Sequence, residues 1–337
     1  MQGKRTPGLT RLLIFCLPFI LFFGVYIALD PFHVLYTEDS IDNLHWNRDV
    51  WSSKVFIKNY PKYKYTSYIF GGSRSQAFRT SDWEKYIGDT NTFHFDASSE
   101  SIYGIYTKLK YIDHIGGDIK NALIITDAQV YLETTENEEM IFCKDYRLSG
   151  KSQLGFQLTF LKGYCSDFFF VKYIDFLMFK TRRPYMNGAI PQAHEVSHID
   201  NVHNNCDGAI YFSIKAIAAD SVGYYSYPNR FNKRPDTIPM DKPCIDSVCL
   251  RMLKEIKGLF DKHHTRYKII ISPVYWQTPF NTTSLLQLKQ VFGDTNVFNY
   301  SGKNSITESK YNYYETSHYK ISTGQRIMKE IYTGKTE

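Results

Sequence analysis

Residues 12–29 (LLIFCLPFILFFGVYIAL) run for eighteen positions without a charge, with Pro18 and Gly24 the only helix breakers. At a rise of ~1.5 Å per residue this helix covers roughly 27 Å, close to the hydrocarbon thickness of a bilayer. Residues 30–64 are polar and aromatic with no clear period, and predict a stem packed onto the C-terminal domain. From residue 65 the pattern changes. Residues 66–70 (TSYIF) form a short β-prone run that stops at Gly71-Gly72; residues 81–86 predict a short helix and residues 92–95 a second strand. Ile105, Leu109 and Ile112 fall at helical spacing within residues 103–115, and Gly116-Gly117 closes that helix. Residues 122–125 (ALII) are a continuous apolar run, the pattern of a strand buried on both faces.

Residues 156–179 are mostly helical by period, and residues 181–241, rich in Asn, Pro, His and Tyr, read as an irregular insertion over one edge. Helical spacing returns at residues 247–263 through Val248, Met252, Ile256 and Phe260. A second buried strand comes at 267–272 (YKIIIS), then a short helix at 285–292, a strand at 296–299 and a last helix at 321–332. Strands alternating with helices predict an α/β fold, a three-layer α/β/α sandwich around a central parallel sheet. The chain therefore divides into a basic flank and membrane anchor (1–30), a stem (31–64) and one α/β domain (65–332) with the insertion at about 181–241.

Composition narrows the class. Hydrophobic residues make up 43% and charged residues 22% of the 337, which excludes a wholly disordered chain. A mean hydropathy of −0.35 with one long apolar run excludes a polytopic membrane protein. Aromatic residues reach 16%, so core and pocket walls should be rich in rings. Three of the six net positive charges, Lys4, Arg5 and Arg11, precede the apolar run, and the balance that remains calls for no nucleic-acid partner. That basic flank should stay cytoplasmic and send the rest of the chain across the membrane, to a bacterial periplasm or cell surface. A cleaved signal peptide is the rival reading, although VYIALDP is a poor cleavage site.

Cys16 lies in the apolar run; Cys143, Cys165, Cys206, Cys244 and Cys249 come after it, with Cys244/Cys249 and Cys143/Cys165 the nearest pairs. Sequence leaves their connectivity open. No pair has CxxC spacing, so neither a zinc ribbon nor a thioredoxin-like motif is supported. His194, His198 and His203 fall near Cys206 and Asp207, but their spacing matches no ligand frame.

Two blocks carry chemistry. Gly71-Gly72-Ser73-Arg74-Ser75 comes directly after the first strand, where α/β folds gather their active sites, and presents the Ser73 hydroxyl on a glycine turn. Near the other end, Glu315 stands three residues before His318, close enough across a tight turn to fix the imidazole through Nδ1 and leave Nε2 as a base. GGSRS and ETSHY at opposite ends of an α/β domain resemble the two end blocks of the SGNH (GDSL-like) hydrolase superfamily, whose sheet is flavodoxin-like. The tail from Val297-Phe298-Asn299 through Tyr313 has the same rhythm. The resemblance covers roughly residues 65–332 and is sharp only in the two end blocks.

The resemblance implies Ser73 as nucleophile, His318 as general base and Glu315 in place of the family's Asp. It also implies a glycine and an asparagine as oxyanion donors. Gly104 fits the glycine. Thr126-Asp127-Ala128-Gln129 stands where the asparagine is expected; Gln129 can donate, whereas an ionised Asp127 only accepts. Arg74 is open to two roles, binding an anionic substrate or steadying the oxyanion, against an ordinary ion pair at a helix start. Anchored members of the superfamily act on acyl groups of envelope polysaccharides, commonly with an integral membrane acyl-donor protein. The expected activity is thus that of a serine esterase or O-acyltransferase that needs no cofactor. A catalytically weak envelope protein for carbohydrate binding or assembly on the same scaffold is the alternative. A nuclease or phosphodiesterase is disfavoured, since no metal cluster is visible.

Overall fold

The computed structural model describes residues 8–36, 46–186, 190, 200–206 and 208–335. In chain order the elements begin with α1 (Gly8–Leu29), α2 (Arg48–Tyr63), β1 (Ser67–Gly71), α3 (Thr80–Ile87), β2 (Thr92–Asp96), α4 (Ile102–His114) and β3 (Asn121–Thr126). Next come α5 (Ala128–Leu132), α6 (Tyr146–Ser149), α7 (Gln153–Tyr164), α8 (Phe169–Phe179), α9 (Gly208–Ala219), α10 (Ser221–Ser226), α11 (Ser247–Lys262) and β4 (Arg266–Ile271). The chain closes with α12 (Thr282–Phe292), β5 (Val297–Asn299), β6 (Tyr313–Glu315), β7 (His318–Tyr319) and α13 (Ile321–Thr333). Two units result, Met1–Trp46 with Ser152–Val196, and Asn47–Lys151 with Ser197–Glu337.

The first unit is built on α1, which is long and apolar enough to cross a membrane. Its end is fixed by Asp30, buried and left-handed, whose carboxylate accepts the N–H groups of Val34, Leu35 and Tyr36 at 2.9 Å each. The helical stretch predicted over 156–179 is broken into α7 and α8. Gly163 and Ser166-Asp167 are poor helix formers, and Asp167 and Phe168 take left-handed backbone at the bend. Folding back lets Phe160, Tyr164, Phe169 and Tyr173 of both helices be buried together.

The second unit holds a five-stranded sheet, parallel throughout, in the order β2-β1-β3-β4-β5. The runs expected to share one parallel sheet, at 67–70 and 122–125, lie side by side, with Ser67 opposite Asn121 and Gly71 opposite Ile125. β1, β2 and β3 are buried at every position, which is why their sequences lack alternation. Successive residues feed two apolar clusters. Tyr68, Phe70, Ile124 and Ile269 pack with side chains of α2, α4 and α11; Ile69, Leu123, Ile125 and Ile270 pack with Trp83 of α3 and Ile327 and Met328 of α13. Full burial of a side chain of this size contributes about 1.5–3 kcal/mol.

Two helical regions lie in stretches that the sequence left irregular. α2 occupies much of the predicted stem; its buried Asp49, Ser52 and Ser53 interrupt the apolar period that would have announced it. Inside the insertion, α9 buries Ile210 against Tyr314 and Ile321. Cys16, Cys143, Cys165, Cys244 and Cys249 are free thiols.

Candidate active site

Ser73 owes its place to the end of β1. Gly71 leaves the strand with φ +152°, and a Cβ there would meet the Ile125 carbonyl oxygen at 2.6 Å, so only glycine lets the chain turn off beside β3. The backbone then tightens into a 3-10 turn, Ser73–Ala77. The Ser75 N–H and hydroxyl both donate to the Gly72 carbonyl, at 2.9 and 2.7 Å. Since that hydroxyl proton is given to Gly72, Ser75 Oγ accepts from Nε2–H of the buried His94 on β2, 2.8 Å away. Burial lowers the His94 pKa to about 4, with the Arg48 charge adding to it against the opposing pull of Asp96. His94 is therefore neutral at pH 7 and serves as a fixed donor behind the Ser73 turn.

His318 is presented by the β6–β7 hairpin, in which Glu315 pairs directly with His318 across the turn at Thr316-Ser317. The imidazole Nδ1–H donates to one Glu315 carboxylate oxygen, and the Ser317 N–H donates to the other at 2.8 Å. Burial alone would raise the Glu315 pKa, but the hydrogen bond and charge of His318 outweigh it and hold the carboxyl below its ordinary value. The Tyr314 ring stacks on the imidazole at 5.7 Å between centroids, 6° from parallel. With Nδ1–H committed, Nε2 is the acceptor, and it faces Ser73 Oγ at 2.6 Å. The packing of α13 helps bring the hairpin to the turn: a Cβ on Gly324 would come within 2.2 Å of the Ala77 carbonyl oxygen, so glycine permits the helix to lie against the end of the Ser73 turn.

Arg74 joins three loops. Its guanidinium pairs with Asp127, after β3, and its Nε–H donates to the Ser317 carbonyl, next to His318, at 2.8 Å. Asp127 is used twice, since its other oxygen caps α5 by accepting the Gln129 N–H at 2.8 Å. Arg74 and Asp127 thus form an ion pair that spans the junction of β1 and β3.

Ser73, His318, Glu315, Arg74 and Asp127 come together. The N–H of Gly104 and the side-chain amide of Gln129, expected as oxyanion donors, are engaged with other partners. Gly104 lies within α4, where its N–H is taken by the helix-capping Ser101 Oγ at 3.0 Å. The Gln129 side-chain amide reaches along α5 to Glu133 at 3.4 Å. Of the candidate metal ligands, His194, His198 and Asp207 lie outside the described residues, and His203 donates through Nδ1 to Asp200 at 3.0 Å.

Sequence reasoning missed the support beneath the site. Arg48 donates through Nε to both oxygens of the buried Asp96 at 3.0 Å and through Nη2 to the Asn204 carbonyl at 2.7 Å. Asn204 returns its side-chain amide to the His94 carbonyl at 2.6 Å and to Ser52 Oγ at 2.9 Å. A second buried group joins Asp49, Glu100, Lys108 and Lys144, with Lys108–Asp49 at 2.9 Å and Lys144–Glu100 at 2.7 Å. The lysines hold the Asp49 carboxyl below its ordinary value although burial pushes the other way. Each group joins residues far apart in sequence, so no local spacing announces it. No family model matches the chain, and no curated protein matches it.

Proposed function

We propose that the protein is a membrane-anchored, extracytoplasmic serine esterase or O-acyltransferase of the SGNH type. Its substrates would be acyl groups on an envelope or surface glycan. The observation that carries the reading is the Ser73 Oγ to His318 Nε2 contact of 2.6 Å, with Glu315 on Nδ1. The strand order β2-β1-β3-β4-β5 supports a flavodoxin-like three-layer domain, in which functional loops gather where the order reverses. Ser73 comes after β1 and Asp127 after β3, on the two sides of that reversal.

In the proposed reaction Ser73 Oγ attacks the ester carbonyl while His318 Nε2 takes its proton. Glu315 keeps the tautomer and stabilises the imidazolium. The tetrahedral oxyanion collapses, His318 returns the proton to the leaving alkoxide, and an acyl-serine remains. Water or a sugar hydroxyl, deprotonated by the same imidazole, then takes the acyl group. Arg74, held beside the nucleophile by Asp127 and the Ser317 carbonyl, would have to donate through its remaining N–H groups to fill the role of the missing asparagine. The uncharged run of α1 and its basic flank support a single-pass anchor with the catalytic unit outside the cytoplasm. An integral membrane acyl-donor protein is a fitting partner for the transferase form.

The test is a fluorophosphonate probe together with hydrolysis of an activated acetyl ester. The parent should be labelled at Ser73 and should turn over, whereas Ser73→Ala and His318→Ala should do neither. A folded parent that stays unlabelled would instead support a binding or assembly protein on the same scaffold. The engagement of the Gly104 N–H and the Gln129 side-chain amide with other partners favours that second reading.

A further inference from the structure

Helices α7 and α8 carry apolar residues on both sides, with Gln153 and Lys162 the exposed polar residues of α7. Phe156, Phe160, Tyr164, Phe169 and Tyr173 are buried within the unit. Away from them, Leu154, Leu158, Phe168, Val171 and Met178 face outwards, and Phe168, at the bend, is 82% exposed. A hairpin bathed in water carries polar residues on such a face.

Contacts with the chain around α1 fix the level of the bend. Gln157 Nε2–H donates to the Val34 carbonyl at 2.7 Å. One turn further on, the Phe160 ring meets Phe32 at 5.7 Å, and beyond that Tyr164 meets Tyr26 at 4.8 Å and Phe22 at 4.7 Å. The Tyr164 hydroxyl donates to the Phe22 carbonyl at 2.9 Å, and Phe170 reaches the Phe22 ring at 5.1 Å. Helix α7 therefore descends alongside α1, and the bend at residues 165–168 lies level with Phe22. Phe22 precedes the helix end at Leu29 by seven residues, about 10 Å of helix. The first half of α1, below that level, is exposed at every described position except the half-buried Cys16, and leaves room for lipid around it.

We infer that α7 and α8 form a re-entrant hairpin whose bend dips into the leaflet from which α1 emerges, with lipid acyl chains covering its outward apolar face. The inference rests on α1 spanning the membrane. A depth near 10 Å is that of interfacial helices buried to the headgroup–acyl boundary. The charges along α8 are paired, Lys172 with Asp167 at 2.6 Å and Asp175 with Arg183 at 2.9 Å, which lessens their cost at that boundary. Lipid rather than a second protein is the occupant because Tyr164 and Phe170, on either side of the bend, pack on Phe22, inside the apolar span of α1.

The experiment places single added tryptophans in the full chain, reconstituted in phosphatidylcholine vesicles brominated either high or deep in the acyl chains. Phe168→Trp reports the bend, with Val171→Trp as its second reporter should the first misfold. Phe19→Trp reports α1, and Leu286→Trp on α12 reports water. Added emission from Phe168→Trp should be largely lost to the shallow bromines and resist aqueous iodide. That from Phe19→Trp should be lost to the deep ones, and that from Leu286→Trp only to iodide. Quenching of Phe19→Trp by bromine without quenching of the bend reporters overturns the hairpin and leaves the anchor standing. No bromine quenching at either site overturns the anchor and the hairpin with it. Bend reporters shielded from both bromine and iodide mean that protein covers this face, which also overturns the inference.

Discussion

At the scale of single residues, the dyad and its support answer to different tests. Ser73 and His318 touch few core atoms, so Ser73→Ala should abolish ester turnover and shift the urea midpoint very little. Glu315→Gln keeps a hydrogen-bond acceptor for Nδ1–H but loses the charge that stabilises the imidazolium, so turnover should fall less than in Ser73→Ala yet clearly below the parent. His94 acts through stability. Its folded pKa of about 4 lies below the ordinary 6.5, so the unfolded chain binds the extra proton first as pH falls. Stability is then fully present above pH 6.5 and drains away towards pH 4; by linkage the loss between pH 7 and pH 5 is about 2 kcal/mol. Urea unfolding at the two pH values measures it, and a folded His94→Gln variant should lose that share of the pH dependence. The GGSRS and ETSHY blocks made the reactive pair legible because each lies in one short segment. The Ser75–His94 contact escaped because a buried strand histidine looks like any other core residue until its neighbours are known.

At the scale of elements, the strands were readable because burial on both faces leaves uninterrupted apolar runs such as ALII at 122–125 and III at 269–271. Helix α2 was not, since its buried face carries Asp49, whose partners Lys108 and Lys144 belong to distant segments. The bend between α7 and α8 was hidden for the opposite reason: apolar residues continue through it, and only left-handed backbone at Asp167 and Phe168 marks the break. The charged group around Asp49 also yields a prediction. Lys108 is 1% exposed and pairs with both Asp49 and Glu100. Lys108→Met would leave two buried carboxylates to the single ammonium of Lys144. Unfolding free energy should drop by roughly 3–5 kcal/mol, the usual result of breaking a buried pair from one side. Substituting the exposed Lys85 of the Lys85–Asp82 pair should cost well under that in the same denaturation assay.

At the scale of the whole molecule, α1 and its basic flank predict that the native full-length chain remains in the membrane pellet through a carbonate wash. Recovery of a soluble native form with its N-terminus near residue 30 would sink the uncleaved-anchor reading. Fold class was legible because strand and helix alternate from β1 to β3 and again from β4 to β5. The support of the site was not, because Arg48, His94 and Asn204 meet only after the sheet has formed and the insertion has returned to it.

Ser73 and His318 are 245 positions apart, and the hairpin that carries the histidine is followed by α13. A chain emerging from the ribosome has its serine long before its base. Closing so long a loop costs entropy that is recovered only when β6, β7 and α13 dock. Nascent and C-terminally truncated chains should therefore be chemically silent, whatever part of the sheet they have assembled. On the proposed reading, acyl transfer to Ser73 waits until the β6–β7 hairpin has been made and docked, so the order of translation sets when the serine acquires its base.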